Sequence, residues 1–420
     1  MEKLARIRRK VREHSGAPDA PAQSETAQGR RPPHTGDASV DEIHEKLQRI
    51  GKYVRERVGK TTPARPRPSR PDAAAQRAQG HLPERLGMGL EVGTSRLAAA
   101  REGRGRRVLM RGERNAFLPV QLDEPTMDLL RELEMNHVTV GDGAYVLGDA
   151  ALDLANVLEV KARQTMQCGV LDPADTESLS IIGMFLYRTL GKPRSDGETC
   201  CFSVPAPPVD AEWDVAAHRL IFEDMLESIG FTPCSVEEGY AVVLSELEKG
   251  GHTGIGVSCG GGITSICAAI EAVPVVSFSI SRGSDWVDEK VATSLEIPSA
   301  RATILREGGV DLNRPVGAAE EAVAVHFGQF MRYICEMTAD VFQSCSPQMK
   351  FGKPADVVFT GGMTDTDGFI DIAGDALTSL DLGFPLGRIE CAAQPFTSVS
   401  RGCLVGAIDQ SPAVDGRNQG

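Results

Sequence analysis

From residue 86 onward, short apolar runs alternate with longer stretches in which apolar residues return every three to four positions. The short runs predict buried strands, the longer stretches amphipathic helices. Residues 86–92 form one short run that ends in Gly93-Thr94-Ser95, and a second run covers 97–100. Two strands joined across a glycine turn predict a hairpin. Residues 170–190 carry Ile181, Ile182, Met184, Phe185 and Leu186 and predict a helix stopped by Gly191. Residues 200–204 predict a buried strand ended by Pro205. A helix is predicted over 210–230, with Trp213, Leu220, Ile221, Met225 and Ile229 facing inward, and a short one over 241–248.

A second strand–glycine–strand unit follows, with strands at 254–258 and 265–270 around Gly260-Gly261-Gly262. A further strand at 273–280 leads into Arg282-Gly283-Ser284-Asp285. Residues 318–343 predict a long, largely buried helix, and 357–359 a strand ending in Gly361-Gly362. Strands alternating with helices predict an α/β architecture. Two similar hairpins predict two related halves.

The pattern fails before residue 86. Residues 15–38 and 61–83 are rich in Pro, Gly, Ala, Gln and Arg, a composition that buries too little apolar surface to offset chain entropy. They are expected to be disordered linkers. Two helical islands interrupt them. Residues 1–14 place Leu4, Ile7 and Val11 on one face among basic residues. Ser39 and Glu42 stand at capping-box spacing before Ile43, Leu47, Ile50, Val54 and Val58, and Gly59 closes the pattern. A basic amphipathic helix can lie on an anionic membrane or dock on a protein partner, so residues 1–60 are a candidate tether. The plainer reading is a pair of transient helices on a solubilising tail.

Charge divides at the same place. Residues 1–85 hold 19 Lys/Arg and 11 Asp/Glu, a net of +8, which leaves −21 for the rest of a chain of formal charge −13. An acidic body is not expected to bind nucleic acid, because phosphate contacts need a basic face. The chain has 420 residues, enough for two or three domains, and no apolar run approaches the roughly 20 residues that span a bilayer. No secretory h-region follows the basic start. Ten cysteines without C-x-x-C spacing then predict free, buried thiols in a reducing, cytoplasmic setting, not a zinc site.

A glycine turn lets backbone N–H groups approach an anion with no Cβ in the way. Thr94 and Ser95 add hydroxyls to the first turn, and Thr264 follows the second. Two such hairpins facing each other can clamp a polyphosphate. Gly361-Gly362, at a strand end, can let a flat nucleoside pack on backbone. These turns stand in an ordered series. Gly89-Leu90-Glu91-Val92-Gly93-Thr94-Ser95, Cys168-Gly169-Val170-Leu171-Asp172, Cys200-Cys201-Phe202-Ser203-Val204-Pro205 and Val236-Glu237-Glu238-Gly239-Tyr240-Ala241 come first. Ser258-Cys259-Gly260-Gly261-Gly262-Ile263-Thr264, Gly283-Ser284-Asp285-Trp286-Val287-Asp288-Glu289, Val358-Phe359-Thr360-Gly361-Gly362 and Val399-Ser400-Arg401-Gly402-Cys403 follow. In this order they resemble the motifs of the actin-like ATPases, most of all the bacterial MreB group, across about 86–408.

The resemblance implies an actin-like (ribonuclease H-like) fold with two lobes around a nucleotide cleft. It divides the chain into a leader at 1–85, a first lobe at 86–205, a second lobe at 206–410 whose end returns to the first, and a disordered tail at 411–420. It implies ATP (or GTP) with Mg²⁺ as ligand. Gly93, Thr94, Ser95, Gly260, Gly261, Gly262, Thr264, Asp285, Gly361 and Gly362 would then face the nucleotide. Glu91 and Ser258 would hold the metal through water, and Glu238 would position the attacking water. It also implies self-association into filaments.

The family carries an Asp in each phosphate motif, where this chain has Glu91 and Ser258. Slow ATP hydrolysis is therefore expected, or a scaffold of the same fold that neither hydrolyses nor polymerises. A small-metabolite kinase is a weaker alternative. The match of Gly256-Val257-Ser258-Cys259-Gly260 to a nucleophile elbow is expected to be accidental, since a strand and not a helix follows it. Glu237 and Glu238 also read as helix-start acids, and Asp285 and Asp288 as N-caps.

Overall fold

The computed structural model describes residues 85–411, apart from 134, 136, 141, 214 and 346–348. The expected islands and linkers of 1–84 and the tail from 412 lie outside the described residues.

The first hairpin is β1 (Met88–Val92) and β2 (Arg96–Glu102), continued by β3 (Val108–Arg114). A small unit follows: β4 (Phe117–Val120), α1 (Glu124–Glu132), β5 (His137–Val140), β6 (Gly143–Leu147) and α2 (Asp149–Leu158). Its sheet has the order β4-β6-β5, and its own core includes Leu118, Leu130, Val146 and Leu154. Then come α3 (Thr176–Leu190), β7 (Thr199–Val204), α4 (Ala216–Ile229), β8 (Thr232–Glu237) and α5 (Glu238–Glu246). The second half has β9 (Gly254–Cys259), β10 (Thr264–Ile270), β11 (Val273–Ile280), α6 (Ser284–Leu295), α7 (Ser299–Glu307) and α8 (Gly317–Cys345). It closes with β12 (Ala355–Thr360), α9 (Phe369–Thr378), β13 (Leu386–Cys391) and α10 (Ser398–Gln410).

The two large sheets share one topology. The first has the order β3-β2-β1-β7-β8 and the second β11-β10-β9-β12-β13. In each, an antiparallel hairpin trio continues into two parallel strands. The two related halves are therefore visible strand by strand. Helices α5 and α10 lie between the sheets, and their core includes Cys201 of β7, Cys267 of β10, Val358 of β12, Val242 of α5 and Cys403 of α10. These buried thiols pack as small apolar residues.

The packing of this layer brings backbones together. A Cβ on Gly402 would stand 1.9 Å from the Ala241 carbonyl oxygen, and one on Gly89 would stand 2.1 Å from that of Ser400. Side-chain-free positions thus let α10 rest on α5 on one side and β1 on the other.

Three sequence expectations need correction. The lobe boundary does not fall at 205/206, because β8 pairs in parallel with β7 in the first sheet. A parallel strand needs a crossover helix, and α4 supplies it. The helix expected over 210–230 starts only at Ala216, and it buries His218, Phe222 and Leu226 while Leu220 is 59% exposed. Residues before it instead run beside β11, where the Val209 N–H donates to the Ser279 carbonyl and Asp210 accepts from the Ser281 N–H. The helix expected from 170 starts at Thr176, where Asp175 caps it by accepting from the Ser178 N–H.

Candidate functional site

Three turns meet at the base of the interlobe cleft. The β1–β2 turn is closed by the Gly93 N–H donating to the Arg96 carbonyl, and the β9–β10 turn by Gly260 donating to Ile263. A third turn, at Cys168 and Gly169 with φ of +49° and +79°, is wedged against both. Gly169 N–H donates to Thr94 Oγ1, and a Cβ on Gly169 would stand 2.6 Å from Ile263 Cγ2. The hairpin turns also touch directly. A Cβ on Gly261 would stand 2.0 Å from Ser95 Oγ, and one on Gly262 would stand 2.9 Å from Thr94 Oγ1. The residues expected to face phosphates are therefore gathered at one point and packed on one another.

Backbone bonds from the 283–285 segment fix the β9–β10 turn. Ser284 and Asp285 N–H groups donate to the Gly260 and Gly261 carbonyls. Gly283 makes this possible, since a Cβ there would stand 2.2 Å from the Gly261 oxygen. Thr264 Oγ1 donates to the Arg282 carbonyl, so its hydroxyl anchors this segment instead of opening onto the cleft. Gly361, at φ +106°, lets β12 end against the Cys259 carbonyl, at 2.1 Å from a would-be Cβ. Gly362 lies against the Phe396 ring, over which Arg96 stacks at 5.7 Å. Phe396 and Arg96 escape sequence reading because neither falls in a periodic run.

Behind the turns lies a carboxylate pair. Glu91 is on β1, and Glu238 opens α5. Glu238 accepts from the Ser258 and Ser265 hydroxyls, and burial followed by nothing stronger than these bonds leaves its carboxyl pushed up to about 7. Glu91 is pushed up to about 8 by burial first and the Glu238 charge second, although the Ser400 N–H donates to it. Its Oε2 is buried without a hydrogen-bond partner among the described residues. Ser258 and Ser265, cross-strand partners on β9 and β10, present their hydroxyls to Glu238 at the start of α5, the helix that packs on their own sheet. Ser265 escapes sequence reading, since a lone serine in a strand carries no signal, whereas Ser400 lies in the closing motif 399–403.

These shifts set a pH dependence. A carboxyl whose folded pKa exceeds its ordinary value near 4.5 keeps its proton longer in the folded chain. Between that value and about 7 to 8 the folded state binds more protons than the unfolded one, so stability falls as pH rises through the window. Each unshared proton is worth at most about 1.4 kcal/mol per pH unit. The melting temperature is expected to drop between pH 6 and 8.5, and Glu238→Gln to flatten that drop and raise the value at pH 8. An unchanged slope in Glu238→Gln would contradict the pairing.

The cleft above the turns has a volume of about 440 Å³ and is lined in part by Arg163, Gln164, Arg282, Asp285 and Trp286. Arg282 lies 3.5 Å from the Tyr333 ring centroid and 4.9 Å from that of Trp286. Asp285, raised to about 6 by burial and then by Asp288, bonds Gln164 across the cleft. Asp288 is tied to Arg306 by two bonds of 2.7 and 3.0 Å. The outer rim is closed by Arg114 of β3, which holds Asp149 at 2.6 Å and Glu307 of α7 at 2.7 Å. Arg306 and Glu307 of α7 are thus both used in ion pairs.

A nucleotide with Mg²⁺ can be tested against this geometry. Glu91 and Glu238, with one orphaned oxygen between them, are donors a water-bridged divalent cation would relieve, since Mg²⁺ takes one or two carboxylates and keeps waters. Among the described residues no cluster of three or more His, Cys, Asp or Glu side chains forms a cage for a bare ion. A polyphosphate does not fit between the hairpins as they stand, because Ser95 and Gly261 occupy each other's contact distance. The turns must part before one can enter.

Among solved structures, the chain is similar to the MamK double helical filament, with a TM-score of 0.60 at 20% identity over 78% of this chain and 100% of that one. A non-polymerising MamK mutant bound to AMPPNP scores 0.47 at 20% identity, covering 77% of this chain and 99% of that one. The ethanolamine utilization protein EutJ from Carboxydothermus hydrogenoformans scores 0.47 at 14% identity, covering 87% and 99%. No curated protein matches. The fold is actin-like, as the motif order implied. A family model described as Volactin matches residues 86–407, and the chain belongs to the volactin family.

Proposed function

We propose that this chain is a filament-forming, actin-fold cytoskeletal or cell-organising protein of MreB-like kind, whose assembly is set by the relation of its two lobes. The observation that carries the reading is the meeting of two equivalent glycine hairpins, one per lobe, at the base of a single cleft. A change at that point tilts one lobe against the other, and a head-to-tail contact that spans both lobes would respond to the tilt. The similarity to a filament of MamK supports self-association. ATP (or GTP) with Mg²⁺ is the ligand class we assign to the cleft, entering as the turns separate. Residues 1–60 would tether the cytoplasmic assembly to a membrane or a protein partner.

The direct contact of Ser95 with Gly261, together with Ser258 in place of an acid, favours a second reading. In it the lobes latch on each other without nucleotide, and the protein is an actin-fold scaffold. Millimolar ATP–Mg²⁺ separates the two. Under the first reading it raises the melting temperature by about 3–6 °C, as expected for ligand near 100 times Kd on a body of this size. Under the second there is no shift.

A further inference from the structure

The acidic body has one strongly basic margin. Arg101, Arg104, Arg106, Arg107, Arg111 and Arg114 fall within 14 residues of the β2–β3 hairpin, against Glu102 and Glu113. Strand β3 is the edge of the first sheet, and no described strand pairs with its outer side. Charged side chains often blunt such edges against self-pairing. That explanation does not account for what lies beneath. Two adjoining cavities of about 440 and 340 Å³ run between β3 and the end of α3, with Arg111 and Thr189 lining both; the carboxylates of the larger one, Glu113 and Asp149, are paired with Arg188 and Arg114. Met88 and Ala99 contribute an apolar floor to the smaller one. Thr189 is 3% exposed, and its hydroxyl has no hydrogen-bond partner among the described residues. Val108 and Leu109 remain 37% and 49% exposed at the strand's start. A merely protective edge has no use for a pocket with an apolar floor beneath it.

We propose that the open edge of β3 and the groove beneath it form a docking site for an extended segment of a partner protein that alternates acidic and apolar residues and adds to the first sheet as a further strand. Main-chain bonds along the edge would give affinity, and the period-two alternation would send side chains on one face to Leu109, Arg111 and Thr189. Cross-strand register places Leu109 opposite Arg101 and Arg111 opposite Ala99, so Leu109 and Arg111 share the face on which α3 lies. Arg104, Arg106, Arg107 and Arg111 are exposed along this edge, so an acidic segment would meet charge of opposite sign.

The test is fluorescence anisotropy with the full chain and a labelled ten-residue peptide of alternating glutamate and valine. Saturable binding is expected, weakened about tenfold or more by Arg111→Glu and less by Arg111→Gln. Methylating backbone nitrogens of one parity is expected to abolish binding and of the other to spare it. A lysine–valine peptide is expected not to bind. The proposal is overturned if the lysine peptide binds equally, if both methylated peptides bind like the parent, or if both Arg111 variants bind as wild type. It is also overturned if phosphatidylglycerol vesicles bind through Arg111 while the acidic peptide does not.

Discussion

Gly402→Val is expected to leave little or no folded protein at 37 °C. Gly402 lies within α10, where replacing glycine by alanine in a helix interior ordinarily gains about 1 kcal/mol. Here the new Cβ would stand 1.9 Å from the Ala241 oxygen, 2.5 Å from its carbonyl carbon and 2.8 Å from its Cα. These are backbone atoms of α5, which no rotamer change can move aside. Helix α10 would have to lift from α5, while Gly89 pins its other side to β1. Both sheets meet in this layer, so the cost extends to each, and we expect a loss on the order of 4 kcal/mol or more. Gly328→Ala in α8 is the control. Nothing lies within 4 Å of its would-be Cβ, so it is expected to gain about 0.5–1 kcal/mol. Chemical denaturation of both variants checks the contrast, and a fully stable Gly402→Val would refute the close helix packing.

Ser258→Asp should be the most damaging change at the site itself. Ser258 is 4% exposed, and its hydroxyl donates to Glu238. An aspartate there would remove that donor and place a third carboxyl beside two that already resist ionisation. The three cannot share enough protons at pH 8, and the expected loss is on the order of 3–5 kcal/mol in cation-free buffer. Millimolar Mg²⁺ is expected to restore part of the melting temperature in this variant and little in wild type. If the variant melts like wild type without the cation, the site is open to water and the buried-pair account fails.

The hairpins at 86–100 and 254–270 were legible because each joins two short apolar runs through glycine, a signal confined to a few residues. The edge strand β3 was not, because Val108 to Arg114 expose most of their side chains and carry no apolar alternation. Strand β8 was hidden by Pro233 and by a pattern buried on neither face, and its absence moved the expected lobe boundary. The start of α4 was misplaced because Asp210 and Trp213 imitate a helical opening, whereas Asp210 in fact accepts from Ser281 and Tyr333. Glu238 could be singled out through a motif. Its pairing with Glu91 could not, since that depends on α5 bringing one acid over a strand 147 positions earlier. The contact of Ser95 with Gly261 is likewise tertiary, and no local pattern encodes it.

The most direct test of the central claim is sedimentation of the full chain at micromolar concentration, with and without ATP–Mg²⁺, followed by electron microscopy of the pellets. The account predicts filaments in the pellet, in an amount that changes with nucleotide. A chain that stays in the supernatant as a single 45.0 kDa species under every nucleotide condition would contradict it.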